Sequence, residues 1–285
     1  MLDKNLKILI VGLGLLGGSY AQSLSRRGYS VSAITKDEKD IEFALSRGYI
    51  KCGKGDVDSD LIESSDLIVF ALYPTVFIEW IEKNAHLIKP GTIITDVTGV
   101  KGSVVDKVQS LIPDGVEFIS AHPMAGRESS GIENADDAIF KGANYIVVPT
   151  EKNSEKARRI CHELGETLGF STVCELSVEE HDSMIAFLSQ LTHCIAVSLM
   201  CAEDNPDIVK YTGDSFRDLT RIANINDEMW SELFLWNRDA LLLQMDRFRE
   251  SFDELYSYVK NAERDKMRDM MRKSSARRRN FDKKV

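Results

Sequence analysis

Two side chains are of types that could do chemistry. His122 lies in SAHPMAG, directly after VEFISA, which reads as a strand, and before small residues. A stretch that only had to turn would use Asn or Asp with Gly. Imidazole titrates near neutral pH, so a histidine fixed by a following proline is suited to take or give a proton. Arg221, in DLTRIA, carries the planar fork that meets a carboxylate in two parallel hydrogen bonds. The plainer readings are a turn histidine and a surface arginine paired with Asp218 or Asp227.

A third feature binds rather than reacts. Gly12, Gly14 and Gly17 stand as G-x-G-x-x-G directly after KILIV and at the start of an amphipathic run. Between a strand and a helix the first glycine permits a tight turn. The second lets backbone approach a pyrophosphate, and the third lets helix and strand pack closely. The stretch Gly12, Leu13, Gly14, Leu15, Leu16 and Gly17 is therefore read as a dinucleotide cradle. An NAD enzyme places an acid at the end of the second strand, on the ribose hydroxyls. Here Thr35 and Lys36 occupy that place, a hydroxyl and a cation that suit a 2′-phosphate, which favours NADP over NAD. Asp37 is near enough to compete.

These residues need a frame. From Lys7 to about Thr150, short apolar runs alternate with longer amphipathic ones, the pattern of βαβ units and a parallel sheet. Gly28, Gly48 and Pro90-Gly91 punctuate the helix ends. One more helix and strand follow, KARRICHELGETLG and STVCEL. Beyond Ser177 the strand signal ends, and a capping box of Ser177 with Glu180 opens a long apolar run. The expected fold is α/β: an N-terminal Rossmann-type doubly wound parallel sheet over residues 1–175, then an all-helical substrate-binding and dimerisation domain over residues 176–285. The first helix of that second part is apolar round most of its circumference, which suggests burial against another subunit in a homodimer.

Composition narrows the partners. The formal charge is −9, from 36 Lys and Arg against 45 Asp and Glu, so most of the surface would repel a phosphate backbone and no nucleic acid is expected. The N-terminus lacks the pattern of a signal peptide, and no apolar run is expected to reach membrane-spanning length. Five cysteines without a C-x-x-C pair suggest neither a disulfide framework nor a metal site. The location implied is cytoplasmic.

Taken together, GLGLLGGS, TDVTGVKGSV, HPMAGRESSG, EEHDSMIAFLSQLTHCIA and FRDLTRIANINDEMW, in this order, resemble the prephenate dehydrogenase family. The resemblance implies oxidative decarboxylation of prephenate to 4-hydroxyphenylpyruvate, with hydride transfer to NADP or NAD, in tyrosine biosynthesis. It makes His122 the catalytic histidine and Arg221 the clamp on a substrate carboxylate. It adds His193 as a pocket residue, Glu128 as an acid at the pocket mouth and Lys101 as a charge near the substrate. His181 also matches. Two departures matter: the family's S-H-L-P-H is SQLTH here, and its serine before V-K is Gly99, so Thr98 is read as the substitute hydroxyl beside His122.

Three alternatives share parts of this reading. Arogenate reacts identically at the ring. A β-hydroxyacid dehydrogenase has the same plan but leaves HPMAG and Arg221 without a role. A nucleotide-sensing dimer that performs no reaction would need neither His122 nor Arg221. The reading places no regulatory domain after the helices and no chorismate mutase segment before Lys7.

Overall fold

The computed structural model describes residues 2–127 and 129–281. Its elements, in chain order, are β1 (Lys7–Val11), α1 (Leu15–Arg26), β2 (Ser30–Ile34), α2 (Glu38–Ser46), β3 (Cys52–Lys54), α3 (Ser59–Ser64), β4 (Leu67–Phe70), α4 (Pro74–Asn84), β5 (Ile93–Asp96), α5 (Gly102–Leu111), β6 (Glu117–Phe118), β7 (Ser120–Pro123), β8 (Asn144–Val148), α6 (Glu155–Leu168) and β9 (Thr172–Glu175). Helices then take over: α7 (Val178–Ile185), α8 (Leu191–Met200), α9 (Asp214–Thr220), α10 (Asp227–Trp236), α11 (Arg238–Lys260) and α12 (Arg264–Arg278). Two compact units are present, one through Asn237 and one from Arg238 onward.

In the first unit six parallel strands run in the order β3-β2-β1-β4-β5-β6. The order reverses direction between β1 and β4, the switch point outside which such sheets bind ligands. Strands β1 and β4 are buried on both faces, as their unbroken runs of Ile, Leu and Val require. One face packs on Tyr20, Leu24 and Tyr145; the other, which carries Phe70 and Phe118, packs on Phe77 of α4.

Two expectations change here. VEFISA is not one strand: β6 ends at Phe118, and β7 belongs to a second sheet, β7-β8-β9, in which β7 runs antiparallel to β8. His122 therefore sits within a strand rather than in a loop after one. Nor do the helices lack a long apolar run. Between α7 and α8 a π turn, Ala186–Gln190, joins the two helices without a break, so Val178–Met200 is long and apolar enough to cross a membrane by length and composition. Within the fold that run is tied down by polar side chains: Ser177 and Glu180 form the expected capping box, and His181 and Gln190 are buried.

The second unit comprises α11 and α12. Helix α11 exposes Leu242, Phe248, Phe252 and Tyr256, an apolar surface that a solvated helix does not need.

Candidate active site

At the glycine turn each of the three positions has its own physical reason. Gly12 has φ +95°, and a Cβ there would lie 2.5 Å from the Ala71 carbonyl oxygen. At Gly17 a Cβ would lie 1.9 Å from the Gly12 carbonyl oxygen, so only glycine lets α1 approach β1 this closely. A Cβ at Gly14, by contrast, meets nothing within 4 Å. Gly14 is the N-cap of α1 and makes no side-chain cap. Open space in front of an uncapped helix N-terminus is what a pyrophosphate requires, so the residues fit a dinucleotide. At the end of β2, Thr35 is half-buried and Lys36 exposed. The Asp37 carboxylate accepts from the backbone N–H of Lys39 at 2.9 Å and caps α2.

At the carboxyl end of β5 a buried carboxylate organises the other side of the site. Asp96 accepts from Ser120 Oγ at 2.6 Å and from the N–H of Ala121 at 3.0 Å, joining β5 to β7. Its second oxygen accepts from the N–H and hydroxyl of Thr98 and from Lys101 Nζ at 2.9 Å. Lys101 is fully buried and also donates to the Ala121 carbonyl at 2.6 Å. A charge can be buried this way only when paired and hydrogen-bonded.

The Lys101 ammonium is cut off from water and turned toward the Asp96 carboxylate. The Thr98 hydroxyl is engaged with Asp96, the Val100 carbonyl and Lys101. The backbone nearest the imidazole is Gly99, where a Cβ would lie 3.9 Å from His122 Cε1 at ordinary contact distance.

His122, half-buried, has Nδ1 2.9 Å from His181 Nε2. Burial, with His181 and Lys101 nearby, holds its pKa well below the usual histidine value. It is therefore neutral at neutral pH and able to accept a proton. His181 is fully buried, with Nδ1 2.8 Å from Asp182 Oδ1.

The helical residues come from several elements. His193, on α8, stacks on Trp230 of α10, with centroids 3.7 Å apart, and has Nδ1 2.9 Å from the Ser189 carbonyl oxygen. Gln190 is buried; it donates to the Leu233 carbonyl at 2.8 Å and accepts from Asn237 Nδ2 at 2.8 Å. Asn237 also donates to the Asp182 carbonyl at 2.9 Å. Gln190 is thus a strut between the π turn and α10. Arg221 opens a 3-10 turn, Arg221–Ala223, and is exposed. Glu128 lies outside the described residues.

Sequence reasoning missed Asp96, Asp182, Trp230 and Asn237. The available signal was an aspartate ending an apolar strand and another directly after His181, both easily taken for ordinary solvated carboxylates.

A Rossmann-type sheet with a glycine cradle, and a neutral histidine on a second sheet tied to the carboxyl end of β5, define a dehydrogenase that uses a nicotinamide cofactor. Residues 20–173 match the family model "Prephenate dehydrogenase, nucleotide-binding domain", and residues 177–273 match "Prephenate dehydrogenase, dimerization domain". The prephenate dehydrogenase of Bacillus subtilis is 30% identical over 260 residues, covering 88% of this chain and 70% of its own length. The crystal structure of prephenate dehydrogenase from Aquifex aeolicus, in complex with hydroxyphenyl propionate and NAD+, superimposes with a TM-score of 0.89 at 28% identity, covering 97% of this chain and 98% of the other. That of Synechocystis arogenate dehydrogenase gives 0.84 at 26%, covering 97% and 100%. The chain belongs to the prephenate dehydrogenase family.

Proposed function

We propose that this chain converts prephenate to 4-hydroxyphenylpyruvate and carbon dioxide with reduction of a nicotinamide dinucleotide, and that it prefers NADP. The observation that carries the reading is His122: a neutral imidazole with one nitrogen tied to His181, on β7, which Asp96 joins to the carboxyl end of β5 in the sheet that bears the glycine cradle. When bound, the cofactor supplies a hydride acceptor. The backbone of Gly12, Leu13, Gly14, Leu15, Leu16 and Gly17 would hold its pyrophosphate, and Thr35 with Lys36 its 2′-phosphate. Asp37, engaged in capping α2, is poorly placed to take a free 2′-hydroxyl instead.

His122 accepts the proton of the ring hydroxyl through Nε2 as hydride leaves the same carbon. It returns that proton to the phenolate oxygen once carbon dioxide has departed and the ring is aromatic. Arg221 grips a substrate carboxylate, and His193 forms part of the pocket wall with its ring fixed by Trp230. Asp96, Thr98 and Lys101 act from behind by holding the backbone before His122.

The functional division falls near residue 175. The exposed apolar side chains Met184, Phe187 and Leu188 on the α7–α8 run support homodimerisation through the helical part. A cytoplasmic location suits five free cysteines. Initial rates of nicotinamide reduction with prephenate, and separately with arogenate, test the reading. The expected maximum is with prephenate and NADP; a greater rate with arogenate changes the substrate, and no reduction with either overturns the proposal.

A further inference from the structure

Three side chains lead inward from the proposed base to the end of a helix. His122 Nδ1 is 2.9 Å from His181 Nε2, and His181 Nδ1 is 2.8 Å from Asp182 Oδ1. Asp182 closes the line by accepting the backbone N–H of Lys101 at 2.9 Å and of Gly102 at 2.7 Å, where α5 begins. The helix end favours negative charge. Partial burial raises the Asp182 carboxyl, but the hydrogen bonds from His181 and Gly102 outweigh it and hold the group below the usual carboxylate range.

The hydrogens in this line follow from valence. An ionised carboxylate only accepts, so the hydrogen between Asp182 and His181 belongs to His181 Nδ1. Burial keeps His181 neutral, since it outweighs the opposing hydrogen bond from Asp182. A neutral imidazole has one N–H, which leaves His181 Nε2 as an acceptor. The hydrogen between the rings then belongs to His122 Nδ1. His122, neutral as well, is left with its lone pair on Nε2.

We propose that His181 and Asp182 are positioning residues that fix His122 in the tautomer with hydrogen on Nδ1, making Nε2 the atom that takes the substrate proton. This deepens the assignment of His122 as the base and rests on it. The same line serves the protonated state. An imidazolium at His122 donates Nδ1–H to His181, whose own N–H points at an anion, and this offsets the repulsion from Lys101. Among the described residues the charged or titratable groups around His122 are His181 and Asp182 from α7 and Lys101, itself paired with Asp96.

The experiment is a ring-nitrogen to ring-proton correlation spectrum of the uniformly 15N-labelled full chain at neutral pH, with Asp182→Asn, His181→Gln and His181→Leu beside the wild type. Both His122 and His181 are expected as Nδ1–H tautomers. In Asp182→Asn the amide oxygen, in the Oδ2 place, keeps the N–H of Gly102, and the NH2 takes the Oδ1 place facing His181 at the loss of the bond from the Lys101 N–H. Both rings then switch to Nε2–H, and kcat falls roughly 10²-fold or more with KM for prephenate unchanged. His181→Gln offers a carbonyl to His122 and an NH2 to Asp182, so it should keep the His122 tautomer, the acid limb of the pH profile and kcat within about tenfold. His181→Leu should lose all three. A wild-type His122 carrying hydrogen on Nε2 overturns the proposal, as does a His181→Leu protein that keeps the wild-type His122 tautomer, acid limb and kcat. The spectra need no substrate, so the tautomer is tested even if prephenate is not turned over.

Discussion

The ammonium of Lys101 donates to the carbonyl oxygen of Ala121 at 2.6 Å, so the backbone immediately before His122 is anchored to the buried Asp96–Lys101 ion pair. Removing one member leaves the other charged and out of water, at a cost of about 3–5 kcal/mol. Lys101→Met should therefore unfold at clearly lower urea concentration, and adding Asp96→Asn, which removes the unpaired charge and keeps an oxygen for Ser120 and the Ala121 N–H, should recover part of the loss. A Lys101→Met protein with the wild-type midpoint contradicts this account.

The glycine turn separates folding from binding. Gly17→Ala puts a methyl against the Gly12 carbonyl and should lower the thermal midpoint as well as abolish cofactor binding. Gly14→Ala meets open space, so its midpoint should stay near wild type while dinucleotide affinity, measured by calorimetry, drops about tenfold or more. Equal stability losses in the two variants would remove the distinction.

His122→Asn is expected to lower kcat about 10²- to 10⁴-fold with KM nearly unchanged. In the wild type the acid limb of kcat should lie below the ordinary histidine pKa of about 6.5, because burial lowers the His122 value. Stability carries the same sign. Both His122 and His181 have folded pKa values below the unfolded one, so between the two the unfolded chain binds more protons. Stability should thus rise with pH through that window and fall on acidification below about 6.5. His122→Asn should weaken that dependence, measured as thermal midpoint against pH.

Arg221→Ala should act mainly on KM, because a carboxylate clamp holds ground and transition states alike. Hydrogen bonds to charged groups contribute about 1.5–3 kcal/mol, so KM for prephenate should rise roughly 10- to 150-fold with a much smaller change in kcat. A fall in kcat alone would place the guanidinium at the reacting centre instead.

Cofactor choice tests the end of β2. kcat/KM should be higher with NADP than with NAD, and Lys36→Asp should invert the ratio. A tenfold preference for NAD in the wild type would assign the ribose to a different set of contacts.

What the sequence determined is what local pattern encodes. Alternating apolar and amphipathic runs gave the parallel sheet, because a strand buried on both faces must be apolar throughout. The glycine spacing carried the cradle, because three different steric needs fall at fixed distances along one turn. The Ser177 capping box marked where the helices begin. His122 was legible as a residue out of keeping with a simple turn. Tertiary structure decided everything that depends on what lies opposite. Whether Lys101 met substrate or a buried carboxylate turned on Asp96, five positions away in sequence but on the inner side of the β5 end. The split of VEFISA at Ile119 into two sheets depended on hydrogen-bond partners, with Ile94 on one side and Val148 on the other. Gln190 reads as a polar fault in an apolar helix until Leu233 and Asn237 are brought beside it. The tie between His122 and His181, 59 residues apart, exists only because α7 lies against the start of α5, where Asp182 accepts the N–H groups of Lys101 and Gly102. Periodicity records how a segment meets water; it holds no record of which buried polar groups will have to satisfy one another.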